Sequence, residues 1–478
     1  MTTASAAAAT PVAVPKNDKR ITSGWAMYDW ANSVYPLVIT SSIFPIYWSG
    51  VVSEITGRNG NSPVEFLGFQ VPGSSLLTYA ISAAFLLIAL ISPFLTALAD
   101  FSGRKKLFLQ FFCYLGAASC AALYFFTPST LTASTFVFIA ATVGFSGSIV
   151  FYNSYLPIIA TEDQYDRLSA RGFSMGYIGS VILLLLSLGL IMGHPALGLD
   201  KSLGLTAGKA TQIAFLLTGI WWAGFAQIPF ARLPADEGRA ADAAAPDSGW
   251  LLNGFKELGK VWDELKHLPN LKRFLLAYFT YNMGVQTVMY VATIFGKDEL
   301  HLPDQDLIIT ILLLQLVAIL GAYLFARLSE RIGNTRALSW AVVIWAFICI
   351  AGYFVQADWT FYALASVIGL TMGGIQSLSR STYSKIIPED THNTAAYFSF
   401  FDVTEKLSIV IGTATWGIIG QWFGSMRYSI LALIVFFILG LLFLLTLRGK
   451  KLREPHPSEA INQPPPAAPH AGTPLQAH

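Results

Sequence analysis

Apolar segments of about 20 residues recur along the whole chain, and they constrain its fold more than any other feature. An α-helix of that length crosses the hydrocarbon core of a bilayer. Twelve such segments, which we number spans one to twelve, can be placed at roughly 25–49, 76–99, 107–127, 131–157, 172–193, 209–231, 272–296, 306–328, 337–356, 359–387, 395–423 and 426–447. The sequence therefore predicts an all-α membrane protein with twelve transmembrane helices.

The composition agrees with a membrane-embedded chain. Of its 478 residues, 54% are hydrophobic and only 12% are charged, against about 25% charged in an average soluble domain. The net charge is only +2 and no long block of Lys or Arg occurs, so nucleic acid is not an expected partner. Cys113, Cys120 and Cys349 lie in apolar runs without metal-binding spacing, so we expect no disulfide, metal or cofactor.

The charges in the loops predict the orientation of the chain. Twelve spans place both termini on the same side. If the N-terminus is inside, five Lys and Arg residues fall in outside loops, Lys406 lies within a span, and the other 24 of 30, including Arg380 in the cytoplasmic third of its span, are counted as inside. Short cytoplasmic loops carry the excess of Lys and Arg, so both termini are expected in the cytoplasm. No cleavage site follows the first apolar run, which predicts a retained helix instead of a signal peptide.

A polar segment at 233–270 separates six spans in residues 24–232 from six spans in residues 271–448. It begins as a flexible linker by composition and continues with apolar residues at helical spacing. These are Leu251, Phe255, Leu258, Trp262 and Leu265. This pattern fits a helix on the cytoplasmic membrane surface or a plain linking helix. Residues 1–23 and the Pro- and Ala-rich tail 449–478 are predicted to be disordered.

One loop pattern occurs once in each half. TALADFSGRKK, residues 96–106, joins spans two and three, and ARLSERIGNTR, residues 326–336, joins spans eight and nine. Asp100 in the first loop can pair with a cation, and Glu330 holds the same place 230 positions later. A repeat at about half the chain length predicts two related halves.

These loops resemble the G-x-x-x-D-R-x-G-R-R/K loop between helices 2 and 3 of the major facilitator superfamily and its weaker copy between helices 8 and 9. The matching positions are Asp100, Gly103, Arg104 and Lys105 in the first loop and Arg331 and Gly333 in the second. The departures are Thr96, Phe101, Ala326, Glu330, Asn334 and Thr335. The resemblance implies the major facilitator fold of two pseudo-symmetric six-helix halves, with these loops acting in gating.

Five ionisable side chains are predicted within the spans. Asp29 lies in span one, Arg380 in span ten, and Asp402, Glu405 and Lys406 in span eleven. A charge inside a bilayer costs several kcal/mol, so these groups should face protein or water. Asp402 and Lys406 have the favourable acid-first i, i+4 order, and Arg380 is the natural partner of Glu405 or Asp29. Three acids and two cations leave one carboxylate that could titrate or hold a cation.

Three roles for this ionic group remain open: a gate or structural network, a proton or cation coupling site, or direct substrate contact. Uncharged candidates for the same site are Asn32, Asn153, Asn282, Gln286 and Gln376. Each alone is more often an interhelical hydrogen bond than a ligand contact. Glycines allow close helix approach, and for Gly172, Gly176 and Gly179 in span five we expect plain packing. In span ten, Gly373 and Gly374 precede Gln376 and Arg380 on a helix expected to line a cavity.

Longer stretches resemble the vacuole-effluxer-like branch of the superfamily, whose fungal members are linked to amino-acid release after autophagy. They are YDWANSVY (28–35), FYNSYLP (151–157), SARGFSMGYIG (169–179), the tryptophan pair 221–222, AYFTYNMGVQT (277–287) and GGIQSLSRS (373–381), which cover nearly the whole chain. One departure is Met283, where family members often have Asp. The resemblance implies a solute carrier, with coupling here resting on Asp29, Glu405 or another group.

Our leading hypothesis is a monomeric secondary transporter of a bacterial cytoplasmic membrane. It would move a small polar or zwitterionic, amino-acid-like solute by alternating access, and co-transport of a proton or cation is an open alternative. The expected partners are the solute and the lipid bilayer. A different class, a membrane sensor or scaffold that retains the fold without transporting, is the second hypothesis. An enzyme is disfavoured because the spans contain no HExxH motif and no His cluster, and no ATP-binding GxxxxGK[ST] loop occurs.

Overall fold

The computed structural model describes residues 14–236, apart from positions 59, 61, 197, 199, 201 and 203, together with 259–388, 393–423 and 426–447. Its helices are α1 (Lys19–Asn32), α2 (Ile43–Thr56), α3 (Gly73–Ser102), α4 (Lys105–Ala122), α5 (Leu131–Ser154), the short α6 (Leu156–Ile159), α7 (Tyr165–Gly193), α8 (Ala207–Arg232), α9 (Pro269–Asp298), α10 (Asp304–Ile332), α11 (Asn334–Phe354), α12 (Asp358–Ile386), α13 (Thr394–Phe423) and α14 (Met426–Leu445). A π-helix (Tyr35–Ser42) joins α1 to α2, and strands β1 (Pro63–Phe66) and β2 (Phe69–Pro72) form an antiparallel hairpin before α3.

The predicted all-α membrane architecture is confirmed. Ten helical segments of the described chain are long and apolar enough to cross a bilayer. Helices α9 and α13 have 30 residues each but are more polar, and both carry residues of the candidate site. The count of twelve spans stays a prediction. The predicted linker residues Leu251, Phe255 and Leu258 and the tail 449–478 lie outside the described residues.

Span one is longer than predicted and is broken in the middle. The helix begins at Lys19 because Asp18 Oδ1 accepts hydrogen bonds from the backbone N–H groups of Arg20 and Ile21, at 2.7 and 3.1 Å. Pro36 lacks an N–H group and interrupts the regular ladder. The chain continues as the π-helix, whose closing N–H donates from Ile43 to the carbonyl of Val38, five residues back. Such bulges are frequent at functional sites.

Each half of the chain has its own apolar core. One cluster of buried side chains is built almost entirely from residues 25–233 and includes Trp25, Trp48 and Trp222. The second is built mostly from residues 261–444 and includes Trp345. Only a few members, such as Tyr177 and Ala395, belong to the core of the opposite half. Most of the buried apolar packing therefore lies within each half and not across the seam between them.

One surface of the bundle, which we call the terminal face, carries the start of α1 and the end of α14. Helices α4, α7, α9, α11 and α13 also begin there, and α3, α8, α10 and α12 end there. Hydrogen bonds tie its segments together: Asn17 Nδ2 donates to Thr161 Oγ1 at 2.7 Å, and the Lys106 backbone N–H donates to Asp236 at 2.7 Å. The segments at the terminal face fix the position of the nearer end of the site between the two halves.

Candidate functional site

A cavity of ≈280 Å³ lies between the two halves. The N-terminal half lines it with α1, the π-helix, α3, α5 and α7, and the C-terminal half with α9, α10, α12 and α13. The predicted candidates that line it are Asp29, Asn32, Asn153, Asn282, Gln286, Gln376, Arg380, Glu405 and Lys406. The remaining candidate, Asp402, does not line the cavity. It is 3% exposed and forms an ion pair with Lys406. The structure thus brings together residues from five separate spans.

Asp29 and Arg380 form a buried ion pair across the seam. Asp29 Oδ2 accepts from Arg380 Nη1 at 3.1 Å and Nη2 at 3.2 Å, and from the Tyr152 hydroxyl at 2.7 Å. Tyr152 is held in place because its ring stacks on Trp25, with centroids 4.5 Å apart. Of the two partners that the sequence left open for Arg380, the structure shows Asp29.

The other donors of the Arg380 guanidinium are also used. Nε donates to Ser169 Oγ at 2.9 Å, Nη2 to the Ser169 carbonyl at 2.8 Å, and Nη1 to Asn153 Oδ1 at 3.4 Å. With the two bonds to Asp29, all five N–H groups have acceptors. The ring of Phe173 lies 4.2 Å from the guanidinium carbon, a cation–π contact. Arg380 is therefore fully engaged in joining the halves.

Gly172 is required by this ion pair. A β-carbon at Gly172 would collide with Asp29 Oδ2 and lie 2.9 Å from Arg380 Nη2. The expectation of plain packing for this glycine was wrong, because it makes room for two charged groups. Gly176 and Gly179 do pack closely, against Ser33 and against Trp30.

A second ionic group lies on α13. Lys406 Nζ is 3.0 Å from Asp402 Oδ1 and 3.7 Å from Glu405 Oε1. Within the described residues, neither Asp402 oxygen has an aligned hydrogen-bond donor, so charge attraction holds this pair. Glu405 is the most exposed of the three side chains, at 25%, and accepts a long hydrogen bond of 3.3 Å from the Tyr278 hydroxyl.

The charges of the ionic side chains at the cavity do not balance. Asp29 is neutralised by Arg380, and Asp402 by Lys406. Among the described residues, Glu405 has only long contacts, which gives the site one excess negative charge. A weakly partnered carboxylate in a cavity can bind a proton, a metal cation or an ammonium group.

The uncharged candidates divide into partnered and unpartnered groups. Asn282 Nδ2 donates to Ser408 Oγ at 2.6 Å, and Gln376 Oε1 accepts from the Tyr177 hydroxyl at 2.9 Å. Asn32 is 1% exposed, and its Nδ2 has no hydrogen-bond partner in the described part of the chain. Gln286 lines the cavity.

Sequence reasoning missed several residues of the site. Ser146 and Gln315 line the cavity, and in the described chain Ser146 Oγ and Gln315 Oε1 have no partner. Gln315 could have been found as an isolated amide within the apolar run LLLQLVA. Tyr152 and Ser169 lie in two of the family-like stretches but carry no charge that would single them out.

The first loop motif joins the halves at the terminal face. Asp100 is 4% exposed, and its Oδ1 lies 2.8 Å from Lys105 Nζ. Its carboxylate accepts from the backbone N–H groups of Ala395 at 3.3 Å and Ala396 at 2.8 Å, in the first turn of α13. A carboxylate at this position satisfies free N–H groups and favours the positive end of the helix dipole. Gly103, with φ of 65°, makes the turn that allows it.

The second loop motif is built differently. Glu330 does not cap a helix; it forms an ion pair with Arg167 of α7, and their side chains are 29% and 65% exposed. Gly333 again turns the chain, with φ of 87°. Arg104 and Arg331 are both exposed. The two copies therefore share their turns but not the environment of their acids.

A buried network beside the second loop also joins the halves. Asp166 of α7 accepts from Lys385 Nζ at 2.7 Å, Ser329 Oγ at 2.8 Å and Asn334 Nδ2 at 2.8 Å. All three donors belong to the C-terminal half. Asp166 thus supplies the buried acid that Glu330 does not.

Met283, the departure from the family pattern, is 6% exposed and is not among the residues that line the cavity. The backbone of Met283 lies against Gly412 of α13. The structure thus places an apolar side chain at this position, and the acidic groups near the cavity are those of α1 and α13.

Solved structures of membrane transporters have a similar fold. The transporter FucP, in its outward conformation, has a TM-score of 0.62 and 13% identity and covers 89% of this chain and 97% of its own. The proton:xylose symporter XylE has a TM-score of 0.66 and 12% identity and covers 92% and 98%. The chain, two helical bundles around a central polar cavity, therefore has the fold of these transporters.

Sequence relatives identify the family to which the chain belongs. Residues 17–455 match the family described as "Vacuole effluxer Atg22 like". YxiO of Bacillus subtilis, described as an uncharacterized MFS-type transporter, is 30% identical over 422 residues, 88% of this chain and 93% of that protein. Autophagy-related protein 22 of Saccharomyces cerevisiae (strain ATCC 204508 / S288c) is 27% identical over 410 residues, 75% of each chain. The chain belongs to the Atg22-like vacuole effluxer family.

Proposed function

We propose that this transporter binds a small polar or zwitterionic, amino-acid-like solute in the central cavity and moves it by alternating access. The observation that supports this most strongly is the Asp29–Arg380 pair, which joins the two halves at one end of a cavity lined by both. A site between two halves can be exposed to each side in turn when the halves rock about it.

Contacts between the halves on the terminal side of the cavity support such a gate. From Asp29–Arg380 outward they continue through Asp166–Lys385 and end at Asp100 on α13. All are ionic or hydrogen-bonded, and water can replace these partners when the halves separate. These contacts support our assignment of the described structure to a state that is closed on the terminal side.

The excess charge at Glu405 suggests coupling to a proton or cation. The charged or titratable groups near it are Lys406 and Asp402 on its own helix and Tyr278 and Tyr290 of α9. Since Lys406 also pairs with Asp402, Glu405 is free to exchange a cation without breaking either buried pair. The family description, which names a vacuole effluxer, suggests efflux as the direction of solute transport.

We place the protein as a monomer in a bacterial cytoplasmic membrane with both termini in the cytoplasm. The distribution of Lys and Arg in the loops supports the orientation of the termini. The terminal face is then cytoplasmic, and the closed gate described above separates the cavity from the cytoplasm. Labelling of single cysteines introduced at exposed Arg104 and exposed Leu67, on opposite faces, would test this orientation in intact cells.

The experiment that tests transport is counterflow in proteoliposomes with a broad panel of amino acids and other small metabolites. Exchange of at least one solute is expected, and it should fall at least tenfold in Arg380→Gln. Liposomes without protein and liposomes with Gly189→Ala, at an open position of α7, are the controls. Binding without exchange for every solute would favour a sensor or scaffold and overturn the proposal.

A further inference from the structure

We infer that the β-hairpin between α2 and α3 is a membrane anchor of the N-terminal half. Its tip, Leu67 and Phe69, inserts into the bilayer leaflet opposite the terminal face. Helix α3 runs from this hairpin to the terminal face, so the hairpin lies at the other end of the bundle. The partner is lipid, at the boundary between headgroups and acyl chains. This inference goes beyond the proposed function, because it holds whichever solute the cavity carries.

The two strands of the hairpin form an amphipathic ribbon. Residues that pair across an antiparallel ladder point to the same face, and successive residues of a strand point to opposite faces. Two cross-strand pairs therefore form an apolar face, and the pair between them forms a polar face. These pairs are Val64 with Val71, Phe66 with Phe69, and Glu65 with Gln70.

The apolar face extends beyond the protein that covers it. Near the base, Val64 is only 2% exposed and belongs to the apolar core of the N-terminal half, and Phe66 and Val71 pack against that core. At the tip, Phe69 on the same face is 72% exposed, and Leu67 in the turn is 62% exposed. Apolar surface gains free energy when it leaves water, so this exposed end of the face favours an apolar partner.

The turn also favours apolar surroundings. Leu67 and Gly68 have φ of 52° and 86°, both left-handed, as in a two-residue type I′ turn. Asn-Gly and Asp-Gly are favoured in this turn, and a bulky residue rarely adopts the left-handed conformation. In water, an asparagine would fit the turn better and would expose no apolar side chain. A leucine at this position is favoured where the turn contacts lipid.

The base of the hairpin determines where the tip points. The Gly73 backbone N–H donates to the Ser62 carbonyl at 3.2 Å, which closes the base. The Gly73 carbonyl accepts from Nε1 of Trp48, a buried residue of α2, at 2.9 Å. A β-carbon at Gly73 would collide with Val52 of α2. The hairpin is therefore fixed to α2 at its base.

The hairpin lies against the side of the bundle and not over the cavity. The ring of Phe66 is 6.0 Å from the ring of Phe136, an exposed residue of α5. Phe136 follows Leu131, the first residue of α5, by about 7.5 Å along the helix. This part of α5 belongs to a segment apolar enough to cross a bilayer. Phe136 also points about 120° away from Thr142, which lines the cavity.

The lipid-facing surface of the bundle continues onto the hairpin. Helix α3 begins directly after β2 and exposes Tyr79, Leu86 and Leu90. Their spacing of seven and four residues places them on one face of the helix. The exposed apolar face of a membrane-spanning helix contacts lipid, and tyrosine is enriched at the membrane interface. The tip is thus connected to a surface that lipid already covers.

The test places a nitroxide spin label on full-length protein in proteoliposomes of phosphatidylcholine and phosphatidylglycerol. The labelled variants are Leu67→Cys, Phe69→Cys and, on the polar face, Gln70→Cys. The three native cysteines are buried, and the unsubstituted chain gives their background. Collisions of the label with oxygen are compared with collisions with a water-soluble nickel chelate. The oxygen-to-nickel ratio should be about fivefold higher at the tip than at Gln70→Cys, because oxygen concentrates in the apolar interior.

Leu67→Asn tests the leucine itself. Asn-Gly is a favoured type I′ pair, so the unfolding temperature in detergent should not fall. The label of Phe69→Cys should nevertheless move towards water in this variant, and its oxygen-to-nickel ratio should fall about twofold. Gln70→Asn introduces the same amide on the polar face. It is the matched control and should leave the ratio at Phe69→Cys unchanged.

A measurement on the unsubstituted protein covers the case in which labelled variants do not fold. Hydroxyl radicals generated in the water around the proteoliposomes oxidise exposed phenylalanine rings, and mass spectrometry locates the products. Phe69 is 72% exposed in the protein alone, whereas Phe44 is fully buried. Both should be oxidised at similarly low rates, because lipid shields Phe69 from water.

Two results would overturn the inference. More collisions with nickel than with oxygen at the tip, or rapid oxidation of Phe69, would place the tip in water. Low collision rates with both reagents would show that protein covers the tip, and dipolar broadening between labels would identify that protein as a second copy of the chain. Counterflow does not enter these measurements, so either result leaves the proposed transport standing.

Discussion

Asp29 and Arg380 are 351 positions apart in the chain, yet their side chains meet at 3.1 Å. The two side chains are 6% and 4% exposed. Removing one member of a buried ion pair leaves an uncompensated charge and costs about 3–5 kcal/mol, whereas replacing both members is often close to neutral. The stability of the closed terminal side therefore depends on the two residues jointly.

The first prediction is that Asp29→Asn and Arg380→Gln will each destabilise the protein strongly, while the double variant will recover a large part of the loss. The expected coupling in a double-mutant cycle is about 1–3 kcal/mol, because the single variants bury one charge each and the double variant buries none. Thermal unfolding of detergent-solubilised protein measures it. Additive losses would show that the pair does not act as a unit.

The second prediction concerns Gly172. Gly172→Ala places a methyl group against Asp29 Oδ2 and Arg380 Nη2, and overpacking of this kind costs about 1–3 kcal/mol. At Gly189 in the same helix, no atom of the described residues lies within 4 Å of an added β-carbon, so Gly189→Ala should be neutral or slightly stabilising. Equal unfolding temperatures for the two variants would show that α7 can move away from the ion pair.

The third prediction compares the two loop motifs. Asp100→Asn removes a charge that interacts with the N-terminus of α13, and we expect a loss of about 1–2 kcal/mol. Glu330→Gln removes an exposed ion pair with Arg167, which contributes about 1 kcal/mol or less. Unfolding temperatures and counterflow rates of both variants measure the difference. A larger effect at Glu330 would mean that the second loop, not the first, holds the closed state.

The transmembrane character and the positions of the ionic residues could be predicted because both follow from the cost of placing polar groups in a bilayer. A single charge in an apolar run is visible without a structure, and Asp29, Arg380 and Glu405 were found that way. The choice between Asp29 and Glu405 as the partner of Arg380 depends on how α1 and α12 pack, which sequence spacing does not determine.

The roles of the uncharged residues could not be predicted from the sequence. Ser148 of α5 donates to the Phe145 carbonyl at 2.8 Å, whereas Ser146 has no partner in the described residues. Nothing in the local sequence separates these two serines. The glycines are similar: Gly373 of α12 packs against the Ala318 carbonyl of α10, while Gly172, expected only to pack, makes room for an ion pair. The difference lies in which side chain the opposite helix presents.

The last prediction is that Glu405→Gln will separate solute exchange from its driving force. A glutamine cannot bind a proton or release one, and Glu405 is the carboxylate at the cavity that no buried cation neutralises fully. In proteoliposomes, accumulation driven by a pH gradient should fall to the level set by the solute gradient alone. Counterflow at saturating solute should persist, because it needs no net charge movement.

Glu330→Gln, the same change at an exposed site, should keep pH-driven accumulation. If accumulation in Glu405→Gln still follows the pH gradient, the coupling group is another residue, and Glu405 serves binding only.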